Sequence, residues 1–167
     1  MPAYVRPDIA AERAVDETGA PYGSRRGEDG PPGSAYSVTT HLERFAPLHA
    51  VADALVAHLA STHDVTMVDG PDPSLADPHP DALRTAHLTP RDGGRGFALE
   101  WTAFPGVVVH PPGPRPAHVP ASAYPACGCD ACDDVWDQVA DGLEDEVLAL
   151  AGERPAPRPR RTSRPAT

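Results

Sequence analysis

The sequence contains no lysine: all 14 of its cationic side chains are arginine. Set against 24 carboxylates, they leave a formal net charge of −10 at pH 7. A body of that sign repels phosphate, so nucleic acid is not an expected partner. Aromatic residues make up only 5% of the chain, so a core must be built mainly of Val, Leu and Ala. No apolar run approaches the roughly 18 residues of a transmembrane helix. Met1 to Asp16 likewise lacks an apolar stretch that could act as a signal-peptide core, so a cytoplasmic, membrane-free protein is expected. Also missing are a Gly-rich phosphate loop with its lysine, a HExxH motif and a nucleophile elbow. Their absence removes the usual sequence signatures of phosphoryl transfer, zinc proteolysis and serine hydrolysis. No solenoid or propeller period is visible.

Proline and glycine are abundant, 22 and 14 among 167 residues, so much of the chain must be loop. The length suits one domain with a real core. Three regions follow from composition: residues 1–34 as a short helix over Ile9 to Val15 plus an exposed linker, 35–152 as a single α+β domain, and 153–167 as a disordered tail. The tail carries five arginines against one glutamate.

Within the domain, Pro47 cannot sit inside a straight helix and suits its first turn. Leu48, Val51, Ala52, Leu55 and Leu59 then recur at helical spacing. A turn over Leu42 to Ala46 precedes them. Strands are expected over His63 to Val68, Arg84 to Thr89, Phe97 to Trp101 and Val107 to His110, with a hairpin loop at Arg91 to Arg95. Pro111 to Pro125 reads as an extended surface loop. A last helix from about Cys132 to Leu150 carries Trp136, Val139, Ala140, Leu143, Val147 and Leu150 on one stripe, and acids on the other side. Gly142 weakens it by about 1 kcal/mol relative to alanine. The expected fold is a small antiparallel sheet of three to five strands packed against two main helices.

All three cysteines fall within six residues, in Cys127-Gly128-Cys129-Asp130-Ala131-Cys132. Cys129-x-x-Cys132 is a knuckle spacing, and Cys127-x-Cys129 in extended chain puts two thiols on one side. Three thiolates can therefore meet one Zn²⁺, with His110, His118, another histidine or a nearby Asp as the fourth ligand of a closed structural site. Thiol redox chemistry at Cys129 and Cys132 is the alternative. Eight acids and no base between Cys127 and Leu150 argue against it, because they raise thiol pKa values. A tight turn whose cysteines serve only as small packing residues is the third reading. An iron–sulfur cluster would ordinarily need a fourth cysteine.

Two weaker features complete the inventory. His49 and Asp53 stand at helical spacing and could orient an imidazole for base work, or merely form a surface pair. The acidic side of the last helix could receive a basic protein partner, or be a solvated face.

Four stretches carry a resemblance: the lead-in Tyr36-Ser37-Val38, Arg44-Phe45-Ala46-Pro47-Leu48-His49, Phe104-Pro105-Gly106, and Cys127-Gly128-Cys129-Asp130-Ala131-Cys132-Asp133. Together they make the chain similar, over roughly Tyr36 to Leu150, to a family of small uncharacterised bacterial proteins known only as a domain of unknown function. The resemblance implies no activity, cofactor or partner.

Overall fold

The computed structural model describes residues 2–27, 30–70, 79–113 and 121–154. The chain is α+β, with two helices and a five-stranded antiparallel sheet in the order β1-β2-β3-β4-β5. The strands are β1 (Val65–Asp69), β2 (Ala82–Pro90), β3 (Phe97–Thr102), β4 (Val107–His110) and β5 (Ser122–Tyr124); the helices are α1 (Pro47–Thr62) and α2 (Trp136–Leu150).

Period-two alternation decides how the sheet is covered. Ala86 and Leu88 on β2, Phe97, Leu99 and Trp101 on β3, and Val107 and Val109 on β4 share one face and are all buried. Against them lie Leu48, Val51, Ala52, Leu55 and Leu59 of α1, and Ala140, Leu143 and Val147 of α2. Burying each such Leu, Val or Phe side chain contributes about 1.5–3 kcal/mol, so this single layer supplies most of the driving force. β1 is different: Met67 and Val68 are exposed, as befits an edge strand.

Proline at its first position starts α1, as the sequence predicts. A short 3-10 turn over Leu42–Phe45 leads into it. The start of α2 differs from expectation, beginning at Trp136 rather than near Cys132. Asp133 has φ +57°, a left-handed conformation that no helix interior accepts, so residues 132–135 stay irregular. Of the two acids there, Asp133 binds Arg25 through its carboxylate and Asp134 accepts Arg44 at its backbone carbonyl. α2 ends in a Schellman motif: Gly152 takes φ +76°, its N–H donates to Ala149, and the N–H of Glu153 donates to Leu148.

Three further expectations are corrected. Ile9 to Val15 is too short to hold a helix by itself and forms none; Ile9 packs against the core and Val15 bridges Pro21. The stretch expected as exposed linker also contributes to the interior, with Tyr22 fully buried. β5 lies inside the stretch expected to be loop, where Ser122 and Ala123 pair with Val109 and Val108. The Arg/Pro tail beyond residue 154 lies outside the described residues, as does His118. No helix among the described residues is long and apolar enough to cross a membrane.

Candidate metal centre

The cysteine block crosses the mouth of the β3–β4 hairpin, beside the start of α1. Three local choices put it there. First, Gly128 has no side chain because the Phe104 ring occupies its place: a Cβ there would lie 2.4 Å from Phe104 Cζ. Phe104 in turn stacks on Phe45, with ring centroids 6.2 Å apart. Second, the block is tied by its own amides, Asp130 N–H donating to Val38 O at 2.8 Å and Ala131 N–H to Ala35 O at 3.2 Å. Third, Arg44, almost wholly buried, spreads its guanidinium over backbone carbonyls. It donates to Gly128 at 3.1 Å, Asp134 at 3.0 Å, His41 at 3.1 Å, and also Thr40.

The result gathers the three sulfurs. Their Sγ atoms all lie within 4.8 Å of one another, and those of Cys129 and Cys132 are 3.4 Å apart. None is in a disulfide. Cys129 is buried while Cys127 and Cys132 are exposed, and the N–H of Cys129 points at Cys127 Sγ at 3.3 Å. The thiols are electrostatically unequal. Contact with the Cys127 thiol and the Cys132 amide draws Cys129 down to about 7. The neighbouring Cys129 sulfur and burial push Cys132 up to about 12.

Arginines flank this block, although none lies in it. Arg25 clasps Asp133 with its Nε at 2.5 Å and its backbone N–H at 2.8 Å. Arg25 and Arg26 each donate to the Asp130 carbonyl, at 2.9 and 2.6 Å. Both Arg25 and Arg44 lie over the Tyr22 ring. The Asp130 carboxylate accepts the Thr40 hydroxyl at 2.6 Å and the Thr40 N–H at 3.1 Å. Burial pushes that carboxyl up, but the two Thr40 bonds and the nearby Arg25 and Arg44 outweigh it and hold it below the ordinary range. The segment from Cys127 to Leu150 has no base of its own, but arginines from earlier in the chain contact it. The compensating cations sit up to about a hundred positions away, where no local pattern could reveal them.

His110 is placed elsewhere. On β4 it faces the reverse side of the sheet, with its Nε2 2.7 Å from the fully buried Glu100 carboxylate, and it is not among the atoms gathered at the cysteines. His49 and Asp53 do not pair: the imidazole Nε2 contacts Gly106 O at 3.1 Å, and the carboxylate takes Arg84 at 2.7 Å. Nor is the acidic side of α2 simply solvated. Arg6 reaches Glu144 at 2.7 Å and Asp141 at 2.5 Å. A cleft of about 440 Å³ opens at the opposite end of the sheet, near Leu59, Leu88, Arg95 and Phe97, and none of the cysteines lines it. Among the described residues the three thiols are the group of potential metal ligands whose donors converge.

The donor set suits a soft divalent ion. A tetrahedral zinc thiolate centre has metal–sulfur bonds of about 2.3 Å, which set sulfurs about 3.8 Å apart. Cys129 and Cys132 stand at 3.4 Å and no separation in the group exceeds 4.8 Å, so small side-chain rotations would bring three thiolates onto one ion.

The four stretches that carried the family resemblance converge at this one place. Phe104 packs on Gly128, Arg44 caps the block, and Gly106 meets His49. A family model described as a family of unknown function, DUF6226, matches residues 10–164. The chain belongs to this family. No curated protein and no solved structure matches the chain. The span matched by the family includes Tyr22, Arg25 and Arg26, which the resemblance from Tyr36 onward left out.

Proposed function

We propose that this member of the family is a small non-catalytic protein in which one Zn²⁺, bound by Cys127, Cys129 and Cys132, staples the Pro-rich loop to the last helix. The observation that carries this reading is the convergence of three free sulfurs within 4.8 Å on a block already held by buried arginine. By fixing the cysteine block, the metal would steady the surface on which the Tyr22 to Arg26 segment and the Ala35 to Arg44 stretch dock through hydrogen bonds. A basic protein partner remains part of the proposal at the acidic face of α2, where it would compete with Arg6 for Glu144 and Asp141.

Metal content of untagged protein tests the reading. About one zinc per chain, with thiols protected until a chelator is added, is the expected result. Metal-free protein with three freely reactive thiols would end it.

A second reading keeps the same residues as a redox couple. It is favoured by the 3.4 Å separation of Cys129 and Cys132 and by the unequal proton affinities of their thiols. Cys129→Ser separates the two. The staple predicts a destabilised fold without metal, whereas the redox couple predicts a folded protein that has lost its thiol reactivity.

A further inference from the structure

We infer that the metal held by Cys127, Cys129 and Cys132 keeps one coordination position for a ligand from solution, and that this ligand is a small-molecule thiol bound as its thiolate. The inference rests on the metal reading above and goes beyond it, since a purely structural site would close its fourth position with protein.

The first support is the state of the neighbouring donors. Among the described residues only the three cysteines converge. Asp134 is not among the converging donors, and the other two carboxylates nearest in sequence are already committed. Asp130 holds both the Thr40 hydroxyl and the Thr40 N–H, and Asp133 holds Arg25 through both of its oxygens. Turning Asp133 toward a metal would strand the Arg25 side chain, which is only 6% exposed. Losing the partner of so buried a charge is strongly destabilising. His110 is committed to Glu100 on the reverse side of the sheet.

Direction is the second support. Cys129 is buried, while Cys127 and Cys132 are exposed on either side of it. An ion touching all three rests on the outward side of Cys129, and the remaining vertex of its tetrahedron faces solvent.

The class of ligand follows from charge and softness. Three thiolates more than neutralise a dication, so a hard anion gains little from the metal. A sulfur donor forms a strong bond to a soft centre whatever its charge. Coordination deprotonates the incoming thiol. In that exchange a metal–water bond breaks, a metal–sulfur bond forms, the thiol proton passes to solvent and no electron moves. The block that would take up this charge is itself held by cations, Arg25, Arg26 and Arg44 donating to the carbonyls of Asp130 and Gly128.

The test is to load the full chain with Co²⁺ in place of zinc, remove free thiol, and titrate with 2-mercaptoethanol while recording the visible spectrum. The expected result is a saturable change at one thiol per cobalt. The thiolate-to-cobalt charge-transfer intensity should rise by about a third as three sulfur donors become four, with cobalt retained. A tetrahedral cobalt spectrum that thiol does not move overturns the inference and leaves the staple standing. So does cobalt stripped into solution by the thiol, or a thiol-free spectrum altered by His118→Ala, which would show the chain supplying the fourth donor. Failure to take up cobalt at all removes the metal reading, and this inference with it.

Discussion

At the scale of single residues, the centre depends on what Gly128 lacks. The Phe104 ring lies where a Cβ would be, and the same ring stacks on Phe45 at the entrance to α1. Gly128→Ala must therefore displace an aromatic ring or the cysteine backbone. We expect it to destabilise the fold by about 1–3 kcal/mol, the usual cost of overfilling a packed site. Phe104→Leu should restore part of that loss in the double variant, although alone it leaves a cavity. Thermal unfolding of the two single variants and the double variant measures the coupling. Strict additivity would mean that Gly128 is not constrained by Phe104. Only part of this was legible in the sequence. The spacing of the cysteines announced a possible ligand set, and the glycine between them announced a tight turn. Nothing local could show that an arginine 84 positions away caps that glycine's carbonyl.

Among the elements, legibility followed periodicity. α1 could be read from its proline and its apolar stripe, and β3 from its alternating Phe97, Leu99 and Trp101, because each makes one contiguous buried face. β5 escaped notice because it is only three residues long and flanked by prolines. The beginning of α2 was misread because acids are equally good at a helix N-terminus and as arginine partners, and here Asp133 is the latter. Gly142 illustrates a different limit. Its helix penalty is visible in the sequence, but its reason is not: a Cβ there would stand 3.0 Å from Tyr124 Cε1, so the glycine lets β5 approach α2.

The far end of the helix pair supports a pH prediction. Glu153, just past α2, bonds His58 at 3.0 Å and His63 at 2.5 Å, joining α2 to the end of α1. Burial pushes its carboxyl up, but the bonds from His63 and His58 outweigh it and hold the pKa below its ordinary 4.5. A carboxyl depressed in the folded state contributes stability that is complete above its unfolded pKa and is lost as pH falls through its lower folded value. Glu153→Gln should thus be less stable than the parent by about 1 kcal/mol at pH 6, a typical hydrogen-bond contribution. The gap should close as the pH drops below 4.5. Urea unfolding of both proteins from pH 6 to pH 3 checks it, and a gap that persists unchanged to pH 3 contradicts the assignment.

For the molecule as a whole, the two ends of the sandwich are held by different means, and this sets where metal should matter. Around the cysteines the chain is assembled from segments distant in sequence whose mutual contacts are mostly polar: Arg25 on Asp133, Thr40 on Asp130, and the Val38 and Ala35 carbonyls on the block's amides. Ala35, Cys129 and Ala131 form only a minor apolar cluster there, apart from the main core. Over the rest of the sheet, α1 and α2 bury a continuous apolar layer that needs no ion. If zinc fixes the block on which these segments dock, its binding free energy is part of the folding free energy of that end. Chelation should then lower the unfolding midpoint by more than about 5 °C, corresponding to roughly 2 kcal/mol for a chain of this size. Hydrogen exchange should quicken first at the amides of Thr40, Asp130 and Ala131, whose acceptors lie across the segment boundaries. The amides of β2 and β3, paired from Ala82 with Thr102 to Leu88 with Phe97, should keep their protection. Uniform loss of protection would instead place the metal's contribution in the global fold. No loss at all would mean that the polar contacts alone hold the crossing, and that the thiols are not a staple.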